Sequence, residues 1–347
     1  MPKSTSECPT RAVDLMLDSG AFSAWKRGER INLHEYIKFI KRNYSLLHTY
    51  VNLDVIPGRP GRQASSTEVE EAASESWRNY QAIRAAGLQP IPVFHLGEKE
   101  DWLRRILDSG AEWIGLGGSV GKPDEARYQF FARSFRIIAD SKVKTRVHGF
   151  GATAVQTMFK FPWYSVDSTS WVMAGATGAI LVPAAGPASF DFSRLTAVRV
   201  SGKGSHARQA VGFGAIYRAH LDAFLVGEGS GLAQVRNDQG ARNYINIRSM
   251  MGTATAAEVR LFFSTWLHAG DDQASKLTAA GARNRLVSYY EVQARDYQTE
   301  HLKEYVCCGK PLRPERKFSM QFNLVGYRGR RIAALVAREG MDAENPE

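Results

Sequence analysis

Between residues 13 and 171 the chain repeats one rhythm six times: a short apolar run, an Asp, His or Gly where that run ends, then an amphipathic stretch. The runs lie in VDLMLDSGAF, YVNLDVIPG, PIPVFHLGE, EWIGLGGSV, TRVHGFGA and WYSVDSTSW. Their length and flanking turn residues are those of strands rather than helices. Most of the intervals carry apolar residues at helical spacing, as in NLHEYIKFIKRNY and KPDEARYQFFARSFRIIADS. In STEVEEAASESWRNYQAIRAAG a hydroxyl cap, early acids and a closing glycine punctuate a helix at both ends. Strands alternating with helices need crossover connections, so the reading is parallel βα units.

Two architectures fit, a closed (β/α)8 barrel of the TIM type and an open doubly wound sheet. The barrel is favoured because Asp18, Asp54, His95, Gly117, Gly149 and Asp167 all follow strand ends. Closure gathers such residues at one mouth, whereas an open sheet spreads them along an edge. The expected organisation is α/β, with βα units over 1–183 forming most of the barrel and its site. A Gly/Ala-rich basic insertion follows over 184–245, and a mainly helical, basic extension over 246–347. GAILVP (178–183) is expected as a seventh strand. LTAVRV is left open between an eighth strand and the insertion, which reads as a long loop, and AAEVRLFFSTWL reads as helical.

Forty-five Lys and Arg against 35 Asp and Glu give a net charge of +10, which suits a polyanionic partner. The excess is concentrated. Residues 192–221 hold Arg194, Arg199, Lys203, Arg208 and Arg218 with no acid, and residues 303–338 hold nine basic residues against Glu304 and Glu315. A solvated surface is the plain alternative for either patch; the pair together points to phosphate, with Arg199, Lys203, Arg208, Arg313, Arg316, Lys317, Arg330 and Arg331 as candidate contacts. Cys8, Cys307 and Cys308 form neither a CxxC nor an even set, so no disulfide framework or structural zinc is expected. No apolar run approaches the roughly 18 residues of a membrane span, and the first residues lack a secretory apolar stretch. A cytoplasmic protein with no membrane partner is expected.

Each strand-end acid has an ordinary explanation as a turn cap. Recurrence at one end of consecutive units is what an active site at a barrel mouth requires. Two carboxylates reaching one ligand from different strands suit displacement at an acetal-like carbon, one attacking and the other moving protons. Metal binding ranks second, since Asp18, Asp54, His95 and Asp167 include no close-spaced ligand pair.

In this order LMLDSGAF, VNLDVIPG, PVFHLGE, IGLGGSV, HGFGA and YSVDSTSW resemble the DpdA proteins of phages and bacteria, relatives of the queuine and archaeosine tRNA-guanine transglycosylases. The resemblance covers about residues 13–171 well and the remainder loosely. It implies a TIM barrel that exchanges guanine in a polynucleotide for a 7-deazaguanine base. Asp167 then corresponds to the nucleophile and Asp18 to the general acid/base. Asp54 corresponds to the acid that holds the purine edge, and His95 stands where the tRNA enzymes use a glutamine. Gly117 and Gly118 correspond to the backbone wall of the base pocket and Phe22 to a stacking ring, with Ser19 and Gly149 beside them. Trp25, Trp163 and Trp171 are further stacking candidates against ordinary packing. No cofactor is implied; the co-substrate is a free 7-deazaguanine base such as preQ0. The CxCxxC zinc pattern of the tRNA enzymes is absent, and the wording of SVDSTSW favours DNA as the polymer, with tRNA as runner-up. A protein partner that opens the duplex is compatible with this reading. In a phage the location would be the host cytoplasm. A carbohydrate-directed glycosidase and a non-catalytic nucleic-acid-binding barrel are the competing classes.

Overall fold

The computed structural model describes residues 14–44, 47–141, 143–186, 189–201, 218–265 and 319–323. Strand β1 (Asp14–Asp18) is followed by α1 (Ala21–Lys26), α2 (Leu33–Arg42), β2 (Thr49–Tyr50), α3 (Ser66–Ala85) and β3 (Val93–His95). The alternation continues through α4 (Glu100–Asp108), β4 (Trp113–Gly117), α5 (Asp124–Asp140), β5 (Arg146–Gly149), α6 (Val155–Lys160) and β6 (Ser165–Ser168). After β6 come α7 (Ser170–Ala176), β7 (Ala179–Ala185), β8 (Phe190–Arg199), α8 (Arg218–Gly227), α9 (Leu232–Asn237) and α10 (Gln239–Ala256). The last described strands are β9 (Arg260–Thr265) and β10 (Ser319–Asn323).

The molecule is a mixed α/β protein built on an eight-stranded sheet in the order β2-β1-β10-β9-β6-β5-β4-β3. Every pairing within it is parallel. An isolated parallel bridge joins Val51, just beyond β2, to Ile91, just before β3. There the Asn52 N–H donates to the Ile91 carbonyl and the Ile91 N–H to the Tyr50 carbonyl, both at 2.8 Å.

Alternation along the strands explains two apolar clusters. Leu17, Phe94, Leu116, Val147, Val166 and Leu261 join the helices in the main core. Met16, Val51, Ile91, Val93 and Phe262 form a separate one. Neighbours such as Met16 and Leu17 belong to different clusters because successive side chains leave a strand on opposite faces. Each fully buried side chain of this kind contributes roughly 1.5–3 kcal/mol. The helices hold register through their ends as well: Ser65 and Glu68 close a reciprocal capping box on α3, and Asp238 caps α10 by accepting the N–H groups of Gly240 and Ala241.

Three expectations need correction. GAILVP does not join the large sheet. It forms β7, which pairs antiparallel with β8, and the run LTAVRV falls largely in β8. The stretch 184–245, expected as loop, contains β8, α8, α9 and the start of α10. These elements bury Ile180, Val198, Leu221, Phe224, Val235 and Tyr244 in a core of their own. AAEVRLFFSTWL is not one helix: α10 ends at Ala256, Glu258 adopts φ 56, and RLFFST is β9, paired with β6 and β10. A left-handed residue ends a helix wherever it occurs, and glutamate gives none of the warning a glycine would. The remainder of the basic extension, with Lys303, Arg313, Arg316, Lys317, Arg330 and Arg331, lies outside the described residues, as do Lys203 and Arg208.

Helix α10 ties the excursion between β6 and β9 to the rest. Its Ile247, Met250 and Ala254 face the main core, while Ala241, Tyr244 and Ile245 face the excursion's core. At its centre the fully buried Asn246 accepts the Leu181 N–H through Oδ1 at 2.7 Å and donates from Nδ2 to the Trp171 and Ala179 carbonyls. Replacing Asn246 by alanine strands buried backbone groups on two elements. Stability is expected to fall by about 2–4 kcal/mol, read as a lower urea midpoint.

Candidate active site

The six strand-end residues lie at the same end of the parallel sheet. Asp18, His95, Gly117 and Gly149 are the last residues of their strands, Asp167 is the third residue of β6, and Asp54 lies four residues past β2. Parallel strands share a direction, so the carboxyl ends coincide.

Asp18 is held at about pKa 8, far above the ordinary 3.8. Burial is the largest cause, and the charges of Asp54 and Asp167 add to it. The backbone N–H groups of Ser19 and Gly20 pull the other way. Gly20 adopts φ 75, the left-handed conformation that a side chain disfavours, as the cap of α1. Three carboxyls from three strand ends thus share one electrostatic environment. A group whose proton leaves near pH 8 is mostly protonated at neutral pH.

Around Asp54 the structure builds a buried ion-pair chain. Ser19 Oγ donates to Asp54 Oδ1 at 3.1 Å, and His95 Nε2 lies 2.9 Å from Asp54 Oδ2. On the other side of the ring, His95 Nδ1 lies 3.1 Å from Glu98 Oε1, and Glu98 Oε2 accepts the His95 backbone N–H at 3.0 Å. Burial opposes charge on His95, but the Glu98 and Asp54 carboxylates outweigh it and raise the imidazole to about 10. His95 is therefore an imidazolium donating in both directions. The stability from this proton is full below the unfolded value of 6.5 and is lost as pH rises through about 10. His95→Gln is expected to melt lower at pH 7, by about 3 kcal/mol, and to flatten the decline of melting temperature between pH 7 and 10. Thermal melts across that range check both.

Asp167 is 9% exposed, and its Oδ1 accepts the Gly151 N–H at 2.8 Å. Gly151 adopts φ 66, and a Cβ there would lie 2.5 Å from Val120. His148 Nε2 approaches the same oxygen at 3.4 Å.

The remaining candidates divide. Gly117 and Gly118 pack on His95: a Cβ on Gly117 would lie 3.0 Å from His95 Cδ2, and one on Gly118 3.2 Å from His95 Cβ. Gly149 gives way to Ala152 and the Trp163 ring, at 2.6 and 2.9 Å from a built Cβ, so packing accounts for this glycine without a ligand. Phe22 is 47% exposed and stacks on Trp25 at 5.8 Å, with Lys26 Nζ 4.4 Å from its ring centre. Trp25 Nε1 donates to the Gly58 carbonyl and so ties α1 to the loop that carries Asp54. Trp163 and Trp171 are buried in the main core, the packing role. Of the basic candidates only Arg199 is described; it ends β8, outside the large sheet.

Two site residues escaped the sequence reading. Glu98, three positions after His95 in HLGE, brackets the ring from the other side, and His148 precedes Gly149 in HGFGA. In both motifs an ionisable residue lay within three positions of one already singled out, which was the available signal. Among the described residues no group of three or more His, Cys, Asp or Glu is arranged to hold a metal ion. No helix among them is long and apolar enough to cross a membrane. A small cavity walled by Asn52, Tyr80, Glu98 and Trp102 touches neither Asp18 nor Asp167. No family model matches the chain, and no curated protein matches it.

Proposed function

We propose that the chain is a base-exchange transglycosylase that replaces guanine in DNA with a 7-deazaguanine base through a covalent Asp167-glycosyl intermediate. The observation that carries the reading is the pairing of a protonated acid, Asp18 near pKa 8, with the carboxylate of Asp167 whose charge helps to raise it. An acid that keeps its proton beside a second carboxyl can supply acid and nucleophile at one carbon.

The site is taken to be the mouth of a closed eight-stranded barrel. The Val51–Ile91 bridge supports closure because it links the two ends of the strand order, β2 and β3. The cluster of Met16, Val93 and Phe262 also supports it, since it unites β1, β3 and β9 on one face.

In the first displacement an Asp167 oxygen attacks C1′ of the deoxyguanosine and the bond from C1′ to N9 breaks. Guanine takes the electron pair and accepts the Asp18 proton. The incoming base then gives a proton to Asp18 and attacks C1′, and the Asp167 carboxylate leaves. Two inversions restore the β configuration without external energy. Asp54 faces the purine edge in this scheme, with His95 behind it as the imidazolium that links Asp54 to Glu98, and the guanine must first leave its stack, at a cost of a few kcal/mol. The basic runs at 192–221 and 303–338 suit the phosphates and make binding salt-sensitive.

Nucleoside mass spectrometry tests the reading. DNA and tRNA are taken from cells that express the chain with a deazaguanine supply. The modified base is expected in DNA. Its appearance in tRNA alone would transfer the assignment to tRNA, and its absence from both would end the proposal.

A further inference from the structure

His148 is fully buried and unused in the scheme above, yet it lies beside the proposed nucleophile. Its place follows from strand register. His148 on β5 is the direct partner of Ser165 on β6, and Asp167 follows Ser165 by two residues, so Ser165 and Asp167 leave β6 on the same face. Ser165 Oγ lies 2.8 Å from His148 Nδ1. Nε2, at the far side of the ring, is buried with no hydrogen-bond partner among the described residues and lies 3.4 Å from Asp167 Oδ1. Phe150 and Phe262 meet the ring edge-on, at 4.5 and 5.9 Å, and supply no polar alternative.

The surroundings select the position of the proton. A bare Nε2 would turn its lone pair towards a carboxylate in an apolar setting, whereas an Nε2–H turns a donor towards it. Ser165 then donates its hydroxyl hydrogen to Nδ1, which leaves the Nε2 proton for Asp167, 3.4 Å away and not yet within a formed hydrogen bond. Ordinary second-shell fixing of a histidine tautomer works in the same way. A contact of 3.4 Å is long, as such bonds often are before substrate tightens them.

We propose that His148 is a positioning residue for Asp167, directing Nε2–H at Oδ1 alongside the Gly151 N–H so that attack on the sugar falls to Oδ2. This rests on the transglycosylase reading. When Oδ2 bonds to C1′, Oδ1 becomes the carbonyl oxygen of the glycosyl ester. When the ester breaks, negative charge returns to the carboxylate, where the Gly151 N–H already bonds Oδ1 and His148 Nε2 lies 3.4 Å away. His148 therefore assists the second displacement more than the first, since charge develops on Asp167 only as it leaves.

The test combines a spectroscopic readout with a rescue. In the full chain the ¹⁵N shifts of His148 are expected to show a proton on Nε2; any form lacking it overturns the proposal. With guanine-containing DNA and a labelled 7-deazaguanine base, His148→Ala is expected to lower kcat about 10²-fold, with KM for the base unchanged and the DNA adduct accumulating. His148→Gln, whose amide N–H reaches a similar point, is expected to recover to within about tenfold of the wild type, and Ser165→Ala to lose about tenfold. Equal rates for wild type and His148→Ala, or a glutamine variant no better than alanine, overturn the proposal. A wild-type chain that exchanges no base overturns the transglycosylase reading instead, while the ring proton still decides whether His148 addresses Asp167.

Discussion

On the transglycosylase reading, Asp167→Asn is expected to lower base exchange by at least about 10⁴-fold while leaving the fold intact, because it removes the proposed nucleophile. The amide has the shape of the carboxylate, and its oxygen can still accept the Gly151 N–H that Oδ1 accepts at 2.8 Å. An amide oxygen does not displace a purine. Denaturing gels after incubation with labelled DNA should show a protein-linked band for the wild type and none for the variant, with melting temperatures within a few degrees. Persistent exchange by Asp167→Asn would remove Asp167 from the mechanism and leave Asp18 without a partner.

The second large effect concerns Asp18. If Asp18 is the proposed acid, its proton held to about pH 8 gives the forward displacement an alkaline limb near that pH, and Asp18→Asn should lose about 10²–10⁴-fold because it can neither give nor take the proton. Stability should respond differently. The folded chain keeps a proton that an unfolded aspartate releases near 3.8, so the associated stability is full below that value and is lost as pH rises through about 8. A neutral asparagine has no such loss. At pH 8 and above, Asp18→Asn is expected to melt at or above the wild-type temperature while inactive. A variant that is both inactive and markedly less stable at that pH would mean that Asp18 is a structural acid.

Much of the site was legible because parallel strands tie position along the chain to position in space. Once VDLMLD, PVFH, IGLG and SVDS read as strands of one direction, their last residues had to share an end of the sheet. Electrostatics added what a strand reading could not contain, namely that Asp54 and Asp167 together act on Asp18. The charge on His95 was not legible, since it depends on Glu98 folding back across a tight turn to meet Nδ1.

The region after β6 was harder for identifiable reasons. β7 has the apolar run of a core strand, but it finds its partner in β8, the next strand in sequence, rather than in the large sheet. The end of α10 depends on Glu258 at φ 56, and local propensity ran on through RLFFST because no helix breaker interrupts it. The asparagine that fastens α10 to β7 and α7 looks in sequence like any polar residue on a helix. Only the two facing elements show why it is buried.

The register of β1 against β10 has a bearing on synthesis. Asp14 through Asp18 take their neighbours from Ser319 through Asn323, so the first described strand waits for the last described one. On the other side, β6 waits for β9 until the whole α7 to α10 excursion has been made. Until residues 319–323 are made, β1 therefore lacks its neighbour on that flank, and contacts between such distant segments form slowly. Truncation upstream of residue 319 would leave β1 permanently open on that flank, an invitation to pair with other chains.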